Sequence, residues 1–358
     1  MIQIDKVIVP YQLLKTAVEQ LFIKWGFSET DSRSITDVLI TANLSGIDSH
    51  GIQRLGMYEK TIANGIVVLQ NKPMIELETA VTALVNANRA MGQLAALFSM
   101  QLAIEKAKAQ GIGIVVTKDS NHFGIAGYYA QLASKQNLIG ICTTNSRAVM
   151  PATFGAVPLI GTNPVAFSFP NEPYDFLYDA SSTVVSLGKI EVCSKAGKKL
   201  PSPWGLNQAG KPSSDPNEIL DDLPNRTIGG VYPLGGPGED AGGYKGYGQG
   251  LIVEILTAIL SGGMSSDVIS NSVKDGACHF FLALDPTCFG NLKDMKARLS
   301  AYFERLRKSN IADPKQRIYI HGEKEFEKRA LYQEKGIPVD VEIWREFEAI
   351  CRRNQVAI

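Results

Sequence analysis

The feature that most limits what this chain can fold into is a change of hydrophobic period near Pro73. Before it, apolar residues recur at helical spacing, first Leu14, Val18, Leu21 and Trp25, then Ile35, Val38, Leu39 and Ala42. Gly26 is placed to end the first helix, and Ser28-Glu29-Thr30-Asp31 offers a capping signal for the second. A third helix is expected from His50 to Ala63, ended by Asn64-Gly65. After Pro73 short β-favouring runs take over, at 83–85, 112–117, 139–144, 165–169 and 176–178, with an Ala-rich helix between the first two. Farther on, an apolar helix is expected at 250–261, a strand at 277–284 and charged helices at 291–308 and 323–335. This mixture predicts a mixed α/β (α+β) fold. Its sheet core spans 73–309, and a helical region over 1–72 is expected to pack with 310–358. The stretch 193–243 is rich in Lys, Pro, Gly, Asn and Asp and reads as loop. A connection of that length is expected to wrap over a partner or a ligand.

Composition excludes several partners. Basic and acidic residues balance at 36 each, so neither nucleic acid nor an anionic membrane surface is expected to bind. The five cysteines are odd in number and form no CxxC pair, which points to reduced thiols in a cytosol-like compartment. The N-terminus carries no apolar run of signal-peptide length, and Gly250 to Ser261 is too short to span a bilayer and contains Glu254. A cytoplasmic location is the expectation.

Chemistry concentrates in a few places. In Asp48-Ser49-His50-Gly51-Ile52-Gln53-Arg54, continuing to Tyr58, a single helix would put His50, Arg54 and Tyr58 at i, i+4 and i+8 on one face. A guanidinium suits a carboxylate, and an imidazole titrates near neutral pH. The bland alternative is an exposed Arg and a capping His on an ordinary helix. His122 falls between a predicted strand and a predicted helix, in the loop Lys118 to Gly124, where α/β proteins commonly place catalytic groups. Asn145-Ser146-Arg147 follows the 139–144 strand, and Arg147 offers a second guanidinium for a distal carboxylate. Gly242 to Gly250 is glycine-rich and leads into a helix, with Lys245 and Gly246 positioned to meet an anion. No Rossmann fingerprint, P-loop, HExxH or zinc-like spacing occurs, and no metal is expected. Asp48-Ser49-His50 has hydrolase residue types, but neighbours on a helix do not face one another and no GxSxG elbow is present.

Taken together, these motifs resemble the type-2 malate/L-lactate dehydrogenase family. The resemblance rests on Asp48-Ser49-His50-Gly51 with Arg54, Asn121-His122-Phe123-Gly124, Gly161-Thr162-Asn163-Pro164 and Gly188-Lys189-Ile190. Tyr244-Lys245-Gly246-Tyr247-Gly248 and Leu284-Asp285-Pro286 with Phe289-Gly290 continue it, so that it spans residues 10 to 335. It implies a non-Rossmann cofactor domain, a homodimer, and NAD(P)-dependent interconversion of 2-hydroxy and 2-oxo acids, with NAD ahead of NADP. By this resemblance His50 and Arg54 fall on the substrate side, and His122 at a proton donor or acceptor position. Ser146, the segment Asp179-Ala180-Ser181, Lys245 with Gly246, and the segment His321-Gly322-Glu323 match cofactor-contact positions. Two departures stand out. The chain reads Asp179-Ala180-Ser181-Ser182-Thr183 where relatives have Asp-Met-Ala-Thr-Ser, and His321 replaces a Pro. Malate/oxaloacetate is the expected substrate pair. The alternatives are lactate, ureidoglycolate, sulfolactate, diketo-sugar acids and cyclic imines, or, from another class, a binding protein that keeps the fold without catalysis.

Overall fold

A computed structural model describes residues 5–221, 223, 227–269 and 276–358. Strand β1 (Lys6–Val9) leads into α1 (Tyr11–Lys24) and α2 (Glu29–Leu44). Two 3-10 turns, Asp48–His50 and Ile52–Arg54, precede α3 (Leu55–Ala63). The hairpin β2 (Met74–Glu78) and β3 (Thr82–Asn86) feeds α4 (Gly92–Gln110), β4 (Ile112–Ser120), α5 (Ala126–Ser134) and β5 (Ile139–Thr144). Then come β6 (Met150–Pro151), β7 (Pro158–Ile160), β8 (Val165–Phe169) and β9 (Phe176–Ala180). A small unit follows, with α6 (Leu187–Lys195), β10 (Gly205–Leu206), β11 (Pro212–Ser213), α7 (Pro216–Leu220) and β12 (Gly230–Val231). Helix α8 (Gly243–Glu254) runs directly into a π-helical turn, Ile255–Ile259. The chain closes with β13 (Ala277–Leu284), α9 (Leu292–Arg307), α10 (Glu323–Lys335), β14 (Ile337–Asp340) and α11 (Val341–Arg353). Among the described residues no helix is long and apolar enough to cross a membrane.

The helical layer forms where the apolar stripes require it. Leu14, Val18 and Leu21 of α1 are completely buried, Gly26 takes a left-handed φ of +103° beyond the helix end, and Ser28 Oγ accepts the Asp31 N–H at 3.1 Å to start α2. These helices share one core with Ile343, Phe347, Ile350 and Cys351, which lie at i, i+4, i+7 and i+8 on α11. The two ends of the chain also pair directly, β1 running antiparallel to β14 with Lys6 opposite Asp340.

The central sheet has seven strands in the order β2-β3-β4-β13-β5-β8-β9. Among the described residues, β3 and β4 are its one parallel pair and the other neighbours run antiparallel. That pattern excludes a doubly wound parallel sheet and agrees with the missing dinucleotide fingerprint. Helices α4 and α5 approach the sheet closely through alanines and glycines. A Cβ on Gly113 would lie 2.0 Å from the Ala103 carbonyl oxygen, and one on Gly140 would lie 2.1 Å from that of Ala130. Strand β13 arrives from far along the chain and inserts between β4 and β5, setting His279 opposite Thr144 and Thr117.

Several expectations need correction. Among its described residues the stretch 193–243 is not loop alone, for it carries α7 and a three-stranded sheet and packs on Ile190, Cys193, Leu200, Ile219 and Val231. Those apolar residues are spaced too irregularly to register as a period. Strand β4 extends to Ser120, shortening the loop before His122, and the edge strand β2, exposed along its whole length, is an addition, although Ile75-Glu76-Leu77-Glu78 alternates apolar and polar residues. Helix α8 starts at Gly243 instead of following the glycine run. Two of its glycines pack tightly against protein, since a Cβ on Gly243 would meet the Gly236 oxygen at 1.9 Å and one on Gly246 the Leu234 nitrogen at 2.3 Å.

Candidate active site

A cavity of about 460 Å³ opens where the 3-10 turns, α3, the loop after β4, the loop after β5 and the first turn of α6 converge. His50, Arg54, Tyr58, His122, Ser146 and Arg147 all line it. The single helix expected over 50–63 does not exist. Gly51 interrupts it with a non-helical backbone (φ −92°, ψ −139°), and no side chain fits there, because a Cβ would sit 2.1 Å from Asn43 Oδ1, which accepts the Ile52 N–H at 2.9 Å. His50, Arg54 and Tyr58 reach the same cavity from three short elements instead of one helical face.

Arg54 is held on two sides. Its Nε donates to the Ser49 carbonyl at 2.6 Å and its Nη2 to Glu191 Oε2 at 2.9 Å, while Gln53 Nε2 donates to the same carboxylate oxygen at 3.3 Å. Arg147 presents a buried Nε with no hydrogen-bond partner among the described residues. Burial lowers its pKa, and the charge of Glu191 works the other way. Among the described residues, two guanidinium groups and one carboxylate therefore face the cavity, an excess of positive charge that suits an anion.

The histidines stack. The rings of His50 and His122 lie 5.6 Å apart and 20° from parallel. Burial, and secondarily Arg54, lowers His50 to about 4, so it is a free base at neutral pH. His122 lies well below the usual histidine range, because of burial first and then the charges of His50, Arg54 and His279. Ser49 Oγ lies 2.8 Å from His50 Nδ1, and Tyr58 Oη lies 2.7 Å from His122 Nδ1. Gln93 Nε2 donates to that same phenol oxygen at 2.7 Å. Beneath them His279 is fully buried, bridging Thr144 Oγ1 and Ser120 Oγ at 2.7 Å each and stacking on Phe123 at 4.5 Å.

The expected cofactor contacts other than Ser146 lie outside the cavity lining. Ser146 is at the cavity, its Oγ accepting the Thr162 N–H at 3.1 Å. Asp179 and Ala180 end β9 and Ser181 follows it, and the His321-Gly322-Glu323 segment lies alongside that strand through a Leu177 N–H to His321 carbonyl bond of 3.2 Å. The Asp179 carboxylate accepts the Gly127 N–H at the start of α5 at 2.7 Å. The protein crowded around it pushes its pKa up to about 6, although the residue keeps access to solvent. His321 is exposed with its ring edge-on to Tyr178 at 5.3 Å. Glu323 accepts the Ile320 N–H at 2.9 Å and pairs with Arg307. Lys245 is exposed on the first turn of α8, and Gly246 is buried beside it.

A motif built on two histidines and an arginine in such a cavity can be compared with known proteins. The family model described as malate/L-lactate dehydrogenase matches residues 9–348. The chain belongs to the malate/L-lactate dehydrogenase family. It is 39% identical to a malate dehydrogenase of Pyrococcus horikoshii, over 96% of this chain and 95% of that protein. A malate/(S)-sulfolactate dehydrogenase of Methanothermus fervidus is 33% identical, covering 91% of this chain and 92% of its own length. Among solved structures, malate dehydrogenase from Entamoeba histolytica superposes with a TM-score of 0.95 at 33% identity, covering 99% of each chain. Membership in this family of dehydrogenases makes the chain an oxidoreductase.

Sequence reasoning missed four residues of this member's site: Glu191, Gln53, Gln93 and His279. Glu191 and His279 arrive on elements distant in sequence, α6 and β13. A Cβ on Gly188 would lie 2.7 Å from Arg54 Nη2, so that glycine, already part of the family motif, was the one available sign that α6 presses on Arg54.

Proposed function

We propose that this oxidoreductase interconverts malate and oxaloacetate with a nicotinamide dinucleotide, NAD ahead of NADP, as a homodimer in the cytoplasm. The observation that carries the substrate assignment is the pair Arg54 and Arg147 facing one cavity, the second with an unpartnered buried Nε. One guanidinium binds the C1 carboxylate and the other the distal carboxylate, each in a charge-assisted contact. The cavity is larger than a four-carbon acid needs, and both its size and the open Arg147 Nε fit a site that the acid shares with a nicotinamide ring. When bound, the nicotinamide supplies the hydride acceptor or donor.

The chain's own groups supply the rest. His50, neutral above its lowered pKa, removes the hydroxyl proton in the oxidation direction and returns it in reduction, and His122 contacts the same oxygen. Ser146 is assigned to the cofactor within the cavity. Asp179, Ala180, Ser181, Lys245, Gly246, His321, Gly322 and Glu323 are assigned to the cofactor's more distant parts.

A nicotinamide absorbance assay over a panel of 2-oxo acids tests the activity, and silence with every acid would favour a binding protein. Replacing Arg147 with Ala is expected to lower kcat/KM for oxaloacetate about 10–150-fold, since a charge-assisted hydrogen bond contributes roughly 1.5–3 kcal/mol. The loss for pyruvate is expected to be much smaller. Equal losses on both acids would assign Arg147 to the cofactor.

A further inference from the structure

The hydrogen bonds around His122 have a definite polarity. Gly124 N–H points at His122 Nδ1 from 3.4 Å, and a backbone N–H can only donate. Nδ1 therefore carries a lone pair, and the Tyr58 hydroxyl, 2.7 Å away, donates to it. The phenol oxygen in turn accepts from Gln93 Nε2 at 2.7 Å. The reverse polarity would set an N–H of His122 against the Gly124 N–H. With the Gln93 amide oriented as it is, the buried Tyr58 O–H would also face two donors, a cost of about 1–3 kcal/mol. In a neutral imidazole with a bare Nδ1, the proton sits on Nε2.

We propose that Gln93, acting through Tyr58, and the Gly124 N–H lock His122 as a neutral, Nε2-protonated imidazole. In that form it polarises the substrate's keto oxygen as a hydrogen-bond donor and does not itself titrate. This rests on reading the cavity as the dehydrogenase active site. His122 is thus an electrophile of fixed charge, and Gln93 is a positioning residue two hydrogen bonds from the reacting oxygen.

The surroundings support a neutral ring. The groups that face His122 are Tyr58 from α3, His50 and Arg54 from the two 3-10 turns, and His279 from β13. Burial first, and then the charge of Arg54, oppose an imidazolium there, and a proton on His50 or His279 would oppose it further. No carboxylate among these neighbours plays the part that the buried aspartate plays for a serine protease histidine. Tyr58 is a poor source or sink of protons, because burial raises its pKa well above the usual phenol value. The transferred proton is left to another group, and His50 is the neighbour placed to carry it.

Nitrogen-15 NMR of histidine-labelled protein tests this without any substrate, so its outcome is independent of which acid the enzyme uses. Only four histidines are present, and the signals lost in His122→Asn identify those of His122. The expected result is a protonated Nε2 and a bare Nδ1, unchanged from about pH 6 to 8, where an ordinary histidine would titrate. A protonated Nδ1, or a titration within that range, would overturn the proposal. Replacing Gln93 with Leu is expected to add a minor Nδ1-protonated form and to lower kcat about tenfold, with KM changed less than about twofold. A Gln93→Leu protein that lost activity with the His122 signals unaltered would reduce Gln93 to a packing residue. Since the wild-type spectrum alone decides the protonation state, the proposal stays testable even if that variant does not fold.

Discussion

At the scale of single residues, the two cavity histidines divide the work unequally. His50 is the better proton carrier, because its Nδ1 partner is a hydroxyl that can donate or accept, whereas His122 faces a backbone donor. Turnover of His50→Asn is expected to fall by about 10²–10⁴, the usual contribution of general acid–base catalysis, and that of His122→Asn by less. Near-normal turnover in His50→Asn with a loss of several orders in His122→Asn would reverse the assignment. His279 makes a separate prediction about stability. Burial lowers its pKa to about 3, below the ordinary value of 6.5 that the unfolded chain regains. Below pH 6.5 the unfolded state takes up a proton the native state refuses, so this contribution is complete above 6.5 and is lost as pH falls toward 3. Denaturant titrations of His279→Gln and wild type should therefore differ less at pH 5 than at pH 7.5, by about 2 kcal/mol. A difference independent of pH would mean that His279 is not held neutral.

At the scale of elements, the break at Gly51 decides the site. A continuous helix would have put His50, Arg54 and Tyr58 in a column, each one helical turn above the last. The two 3-10 turns, broken at Gly51, let Arg54 turn back to the Ser49 carbonyl instead. Gly51→Ala drives a Cβ into Asn43, whose amide oxygen anchors the break. A destabilisation of about 1–3 kcal/mol is expected from such overpacking, read as a lower denaturant midpoint. A rise in KM larger than the fall in kcat should accompany it, because Arg54 moves with the turn. Unchanged stability and KM would show that the backbone absorbs the methyl group. Helix α6 acts in the opposite sense, bringing Glu191 onto Arg54 from a unit with its own small core.

At the scale of the whole molecule, α8 and its π-helical extension leave an apolar face uncovered. Ile252, Ile255, Ile259 and Leu260 are each more than half exposed, at 57%, 53%, 65% and 56%. A monomeric surface rarely carries so continuous a patch. The proposed homodimer buries such faces against each other about a two-fold axis. Light scattering at micromolar concentration is expected to give twice the chain mass for wild type and the chain mass for Ile255→Glu. A monomeric wild type would remove the proposal.

Much of this molecule was legible before any coordinates. The first two helices, the strand at 277–284 and the charged helices follow from local periodicity and capping chemistry, which act between residues a few positions apart. His50, Arg54, Tyr58, His122, Ser146 and Arg147 were also readable, because reactive side chains cluster in short motifs at element ends, and all six line the cavity. The family motifs named the reaction class for the same reason. What only the tertiary structure decided depends on long-range packing. The insertion of β13 between β4 and β5 set His279 under the cavity, and the approach of α6 set Glu191 on Arg54. The first turn of α4 put Gln93 on Tyr58. The direction in which His122 shares its hydrogens emerged only once Gly124, Tyr58 and Gln93 stood together. Hydrogen-bond polarity belongs to a three-dimensional set of donors and acceptors, and no spacing along the chain encodes it.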